Sequence, residues 1–147
     1  MSRPAPDPSN VPSFLIKQVA RELSRQAETQ LRPLGLGMAS LPVLEAVRQG
    51  KATTQAELAR LLRVEQPSMA QTLARLERDL LIRRSPDPQR PRAQRIELTA
   101  LALQRLPQAR EILNEGNTRM LGGFSVDETM RLTSFLQRLS ANLDRSG

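Results

Sequence analysis

Leu15, Val19, Leu23, Ala27 and Leu31 recur every four residues, with Phe14, Ile16 and Ala20 widening the stripe, until Pro33 ends the run. That spacing predicts a long amphipathic helix from Ser13. Ahead of it, residues 1–12 hold four prolines and little to bury, which predicts a flexible tail. Gly35 and Gly37 mark a loop. Ser40 then fits the N-cap of a short helix carrying Leu41, Val43, Leu44 and Val47, closed by Gly50.

Thr54-Gln55-Ala56-Glu57 is a capping-box pattern, in which the threonine hydroxyl takes a free backbone N–H and the glutamate reaches back to the cap's own N–H. The helix it opens carries Leu58, Ala59, Leu61 and Leu62 and breaks near Arg63-Val64. A second helix starts at about Pro67, with Met69, Leu73, Leu76 and Leu80 at helical spacing. Two short helices joined by a tight turn make a helix-turn-helix. Three prolines then forbid helix between Arg83 and Arg95, and Ile96-Glu97-Leu98 alternates like a strand, which predicts a β-hairpin with a basic tip. Thr99 opens a further helix containing Leu101, Leu103, Leu106, Ile112, Leu113, Met120 and Leu121, kinked at Pro107. Ser125-Val126-Asp127-Glu128 is a last capping box, ahead of Leu132, Phe135, Leu136, Leu139 and Leu143 on one face. Phe14, Phe124 and Phe135, the three aromatic residues, are expected in the core.

Cysteine and histidine are both absent. Disulfides, thiolate metal sites and thiol redox switches are therefore excluded, and the commonest general base is missing. With no Tyr, no Trp and no glycine-rich phosphate loop, no catalytic constellation or cofactor site can be assembled, and a non-enzymatic protein is expected. No apolar run approaches the length of a membrane span, and the polar start lacks a signal-peptide core; a cytoplasmic protein that avoids membranes is expected. The net charge is +7, and 20 of the 22 basic residues are arginine. Nine arginines lie between Arg60 and Arg95 against Glu65, Glu77, Asp79 and Asp87; nine minus four leaves +5 in that stretch. Nucleic acid is the partner such clustering favours.

Thr54-Gln55-Ala56-Glu57-Leu58-Ala59-Arg60-Leu61-Leu62, then Ser68, then Leu73-Ala74-Arg75-Leu76-Glu77-Arg78, with Arg92 seven residues before Thr99, resembles the MarR family of winged helix-turn-helix regulators. The resemblance spans about Phe14 to Leu143. It departs at Arg90-Pro91-Arg92, where the family usually has Asp, a basic residue and Arg, and at Leu80 and Ala102, where glycine is common. It implies a mainly α fold with a small β-hairpin wing, a winged helix-turn-helix with long N- and C-terminal dimerisation helices. Residues 13–34 and 99–145 would form the dimerisation region, and 35–98 the DNA-binding region, with the recognition helix at about 66–80 and the wing at about 82–98.

On that reading Gln66, Ser68, Gln71, Thr72 and Arg75 face base edges: Gln71 suits adenine, Arg75 guanine or phosphate, and Thr72 a thymine methyl. Arg90, Arg92 and Arg95 on the hairpin suit the minor groove or its phosphates. Arg83 and Arg84 suit phosphate, or one of them pairs with Glu77 or Asp79. Thr54 and Ser40 either meet phosphate through helix N-termini or serve as caps alone. The implied function is a sequence-specific double-stranded DNA-binding transcriptional repressor, a homodimer on a pseudo-palindromic operator, released by a small aromatic or anionic ligand. The alternative is a helical dimer of the same fold that has lost operator binding and antagonises another regulator through protein contacts.

Overall fold

The computed structural model describes residues 3–5 and 7–144. Met1, Ser2 and Pro6 of the expected tail, and Arg145 of the expected 99–145 region, lie outside the described residues. Six helices and one hairpin follow in the order α1 (Pro12–Leu31), α2 (Leu41–Arg48), α3 (Gln55–Leu62), α4 (Gln66–Arg78), β1 (Ile82–Asp87), β2 (Arg90–Leu98), α5 (Ala100–Met120) and α6 (Val126–Asp144). The mainly helical class with a hairpin wing is the one the sequence predicts. Among the described residues no helix is long and apolar enough to cross a membrane.

Local chemistry sets most of the boundaries. Pro12 starts α1, where its fixed φ suits a first turn, and ahead of it Asp7 Oδ1 accepts from the Ser9 N–H at 3.0 Å to form a 3-10 turn over Pro8–Asn10. Thr54 Oγ1 accepts from the Glu57 N–H at 3.2 Å and donates to the Glu57 carboxylate at 2.9 Å, so the box closes through the side chains. At α6 the box is reciprocal: Ser125 Oγ accepts from the Glu128 N–H and Glu128 Oε1 from the Ser125 N–H. Thr99 caps α5 and also donates to the Leu80 carbonyl at 2.7 Å, joining the end of the wing to the end of α4. Helix α5 continues through Pro107 as one element.

The core lies where α1, α2 and α5 meet the helix-turn-helix and the wing. Leu31, Leu44, Leu58, Met69, Leu73, Leu76, Leu81, Ile82, Ile96 and Leu106 are sealed from solvent there. The hairpin strands pair antiparallel from Ile82 opposite Leu98 to Asp87 opposite Arg90, with an irregularity at Pro86/Asp87. A further rung, the Ile96 N–H to the Thr53 carbonyl at 2.7 Å, ties the wing to the segment before α3. Glu45 joins α2 to α5 by accepting from Arg110 at 2.7 Å, and it also takes the Arg48 guanidinium at 2.9 Å.

The apolar stripes of α1 and α6 run past this core. Only Ala27 and Leu31 of α1 are buried, while Phe14, Leu15, Ile16 and Val19 stand out in solvent. Helix α6 buries no residue, and its Phe135, Leu136, Leu139 and Leu143 are exposed. The three phenylalanines expected in the core are each about half exposed, because the chain's own core draws on the C-terminal half of α1 and leaves these outer faces uncovered. The far end of α6 is held by polar contacts instead: Arg63, in the turn between α3 and α4, donates to Ser140 Oγ at 3.2 Å and to Asp144 at 2.5 Å.

Helix α4 ends at Arg78, two residues short of the expected 80. Leu80 adopts φ +62. Its N–H bonds the Glu77 carbonyl and the Leu81 N–H bonds the Leu76 carbonyl, the paired bonds of a Schellman cap. A left-handed conformation at a residue with a Cβ costs about 1 kcal/mol, and the Leu80 side chain, 69% exposed, recovers little of it through burial. Leu80→Gly is therefore expected to stabilise the protein by about 1 kcal/mol, less the extra freedom glycine gives the unfolded chain. Urea denaturation at matched protein concentration checks this, and an unchanged or lower midpoint contradicts it.

Burial pulls the Glu45 carboxyl upward, but the hydrogen bonds from Arg110 and Arg48 outweigh it, and the group titrates below its ordinary 4.5. A depressed folded-state value contributes stability that is fully present above the unfolded value and disappears as pH falls through the folded one. Glu45→Gln is expected to lower stability at neutral pH, and the gap from the parent should close as pH drops below 4.5. Parallel denaturation curves across that range make the comparison; a gap that stays constant with pH contradicts it.

Candidate nucleic-acid interface

Helices α3 and α4 meet at a turn in which Arg63 takes φ +56, a conformation that ends α3 sharply and starts α4 three residues later. Pro67 sits in the first turn of α4. Met69, Leu73 and Leu76 are buried with at most 1% exposure, which fixes the rotation of α4 about its own axis. Gln66, Ser68, Gln71 and Arg75 consequently lie exposed on its remaining faces, and Thr72 is half-buried. The Gln66 carbonyl oxygen accepts from the Gln55 side-chain amide at 3.2 Å, linking the first residues of the two helices.

The wing sorts its arginines by strand alternation. Ile82 is buried, and Arg84, two residues on along the same face, is drawn in with it. Its guanidinium lies 3.7 Å from the Glu77 carboxylate on α4, with the side chain 20% exposed and its Nε free of hydrogen bonds. Arg84 is thus the residue that pairs with Glu77, and the phosphate role expected for it does not fit this inward placement. Arg83 is exposed opposite Glu97. Arg95 is also exposed but lies 3.8 Å from Glu97, so part of its charge is compensated. Arg90 and Arg92 are exposed near the tip.

That tip turns on residues just ahead of Pro91. Asp87-Pro88-Gln89-Arg90 places Asp and Pro at the first two positions of a turn, and Asp87 Oδ1 accepts from the Gln89 N–H at 2.9 Å. The Asp-Pro pair is a sequence signal for this turn.

Two of the residues expected at helix N-termini turn their hydroxyls inward. Ser40 is buried and helical in backbone, and it is not a side-chain cap. Its hydroxyl accepts from the Gly37 N–H at 3.0 Å and donates to the Gly37 carbonyl at 3.1 Å, closing the loop before α2. Thr54 is buried too, its hydroxyl consumed by the Glu57 box. Neither hydroxyl is available to a ligand.

Of the nine arginines from Arg60 to Arg95, four form ion pairs: Arg63 with Asp144, Arg78 with Asp79, Arg84 with Glu77 and Arg95 with Glu97. Among the described residues Arg60, Arg75, Arg83, Arg90 and Arg92 form none. The uncompensated charge therefore sits on α3, α4 and the wing. A cleft of about 230 Å³ lies between α1, the loop before α2 and α4, lined by Glu28, Arg32, Gly37, Thr72 and Arg75 among others. Among the described residues no group of three acidic side chains is placed to hold a metal ion.

Removing the Asp87 carboxylate by Asp87→Ala should free the Gln89 amide. Hydrogen exchange there is expected to rise about fivefold, as the loss of one hydrogen bond implies, while exchange in α4 stays unchanged. Equal exchange at Gln89 in both proteins contradicts the turn's dependence on Asp87.

Residues 34–93 match the family model described as MarR family. The chain superposes on the transcriptional regulator SlyA with a TM-score of 0.82 at 24% identity, covering 89% of this chain and 92% of that one. It is equally similar to Staphylococcus aureus MepR in its complex with DNA, with a TM-score of 0.82 at 22% identity over 92% and 98% of the two chains. MarR itself gives 0.81 at 23% identity over 97% of each. The match to the MarR family model thus covers residues 34–93, and the chain as a whole takes the winged-helix fold of these structures.

Proposed function

We propose that this protein is a transcriptional regulator that binds double-stranded DNA sequence-specifically, as a homodimer on a pseudo-palindromic operator, and that it acts as a repressor. The observation that carries the reading is the uncompensated arginine set: Arg75 on α4 and Arg83, Arg90 and Arg92 on the wing are exposed and unpaired among the described residues. Helix α4 enters the major groove with Gln66, Ser68, Gln71 and Arg75 toward the bases, and the wing reaches phosphate or the adjacent minor groove. The similarity to MepR, solved on DNA, supports this use of the fold.

A second copy of the chain covers the exposed apolar faces of α1 and α6, as expected for apolar faces that their own chain leaves uncovered. Such a dimer spaces two recognition helices for an inverted repeat. The cleft carrying Arg32 and Arg75 suits a small aromatic or anionic ligand, and occupying it withdraws Arg75 from DNA.

Selection of bound genome fragments, followed by titration of the enriched site at several salt concentrations, tests the proposal. An inverted repeat is expected, with affinity falling steeply as salt rises. Arg92→Ala should weaken binding broadly and reduce the salt slope by about one, whereas Gln71→Ala should alter base preference at one position per half-site. Weak, uniform binding that is indifferent to both changes would sink the operator-binding reading and favour a dimer acting through protein contacts.

A further inference from the structure

Gln55 is the first residue of α3 and Gln66 the first of α4, 11 residues apart, and their side chains meet. The Gln55 amide nitrogen donates to Gln66 Oε1 at 3.2 Å. Both ends are held. The Thr54–Glu57 box fixes the start of α3, and Pro67 restrains the backbone that follows Gln66. Gln66 itself is exposed at the N-terminal end of the recognition helix, the end that approaches base edges in helix-turn-helix proteins.

A free glutamine amide offers a base edge both a donor and an acceptor, and it reads adenine by using the two together at N6 and N7. Gln66 is not free in this sense. With its carbonyl oxygen engaged by Gln55, what it turns outward is its NH₂ group, two donors on one nitrogen. In the major groove, guanine presents O6 and N7 as acceptors, thymine O4, and adenine N7 beside its N6 donor, whereas cytosine presents only the N4 donor. We propose that Gln55 is a specificity-setting residue that touches no base: by occupying the Gln66 carbonyl it makes Gln66 act through its NH₂ donors, which selects against cytosine. It is a positioning residue, and the inference rests on the DNA-binding reading above.

The chemistry can be reversed by one atom. Gln55→Glu keeps the length of the side chain but leaves an ionised carboxylate that only accepts. Gln66 must then donate its NH₂ inward and turn its Oε1 outward, where it accepts from cytosine N4 or adenine N6. Gln55→Leu removes the partner altogether, so Gln66 rotates freely and its discrimination fades.

The experiment is a randomised-site selection with the full chain, wild type beside Gln55→Glu, Gln55→Leu and Gln66→Ala, with circular dichroism confirming that each variant is folded. Wild type should disfavour cytosine by about fivefold or more at one base position of each half-site. Gln55→Glu should reverse that discrimination and favour cytosine or adenine at the same position. Gln55→Leu and Gln66→Ala should each flatten it, and combining them should add nothing further at that position. Added negative charge near phosphate also weakens Gln55→Glu overall; if that variant selects no site, Gln55→Leu decides alone. A wild-type motif whose base preferences persist in Gln55→Leu overturns the role of Gln55 while leaving DNA binding intact. Failure of the wild type itself to enrich any motif overturns the DNA-binding reading on which the inference stands.

Discussion

Three side chains on one stripe of α4, Met69, Leu73 and Leu76, are sealed into the core together with Leu58, Leu81, Ile82 and Ile96. Everything else in the functional half of the chain is placed by that packing. A helix seated on three anchors at i, i+4 and i+7 has no rotational freedom, so Gln71 and Arg75 are exposed as a consequence of which residues are buried. The same core holds both strands of the wing through Ile82 and Ile96, and Arg84, carried on the Ile82 face, meets Glu77 on α4. Helix α4 and the wing are consequently parts of one rigid body. Truncating Leu73 or Leu76 to alanine belongs among core changes that cost about 2–5 kcal/mol, and it would disturb both elements together.

Electrostatics is layered on this frame. The sequence concentrates positive charge between Arg60 and Arg95, but proximity along the chain does not say which arginines are spent within the molecule. Strand alternation and helix ends decide that. Arg84 is drawn in by the Ile82 face, Arg63 is turned toward the C-terminal end of α6, Arg78 pairs with Asp79 just past the end of its helix, and Arg95 with Glu97 on its own strand. What remains unpaired among the described residues lies on α3, the recognition helix and the hairpin. Surface ion pairs of this sort contribute little to stability; their effect here is to sort one excess of charge into a used and an unused part.

Much of this architecture is legible in the sequence because it is locally encoded. The capping boxes at Thr54 and Ser125 announce helix starts through hydrogen bonds that span three residues, and the stripe from Met69 to Leu76 states its own buried face. What escapes is non-local. Ser40 looks like a cap, yet its hydroxyl is consumed by Gly37 in the loop behind it. The phenylalanines look like core, yet they lie on faces that the chain's own packing does not reach. The rung from Ile96 to Thr53 joins residues 43 positions apart, and no periodicity in either segment signals it. Gln55 is hidden in a different way: inside a capping motif it reads as filler, and its meeting with Gln66 depends on the sharp left-handed turn at Arg63.

Leu80 has an implication for how such a chain changes over generations. It holds a backbone angle suited to glycine, two-thirds exposed, outside the core and away from the side chains assigned to base edges. Its stability penalty can therefore be removed by a single substitution that alters neither packing nor recognition. A protein with that reserve can accept a destabilising change in α4, where the proposed base contacts lie, and recover its stability at a position outside them.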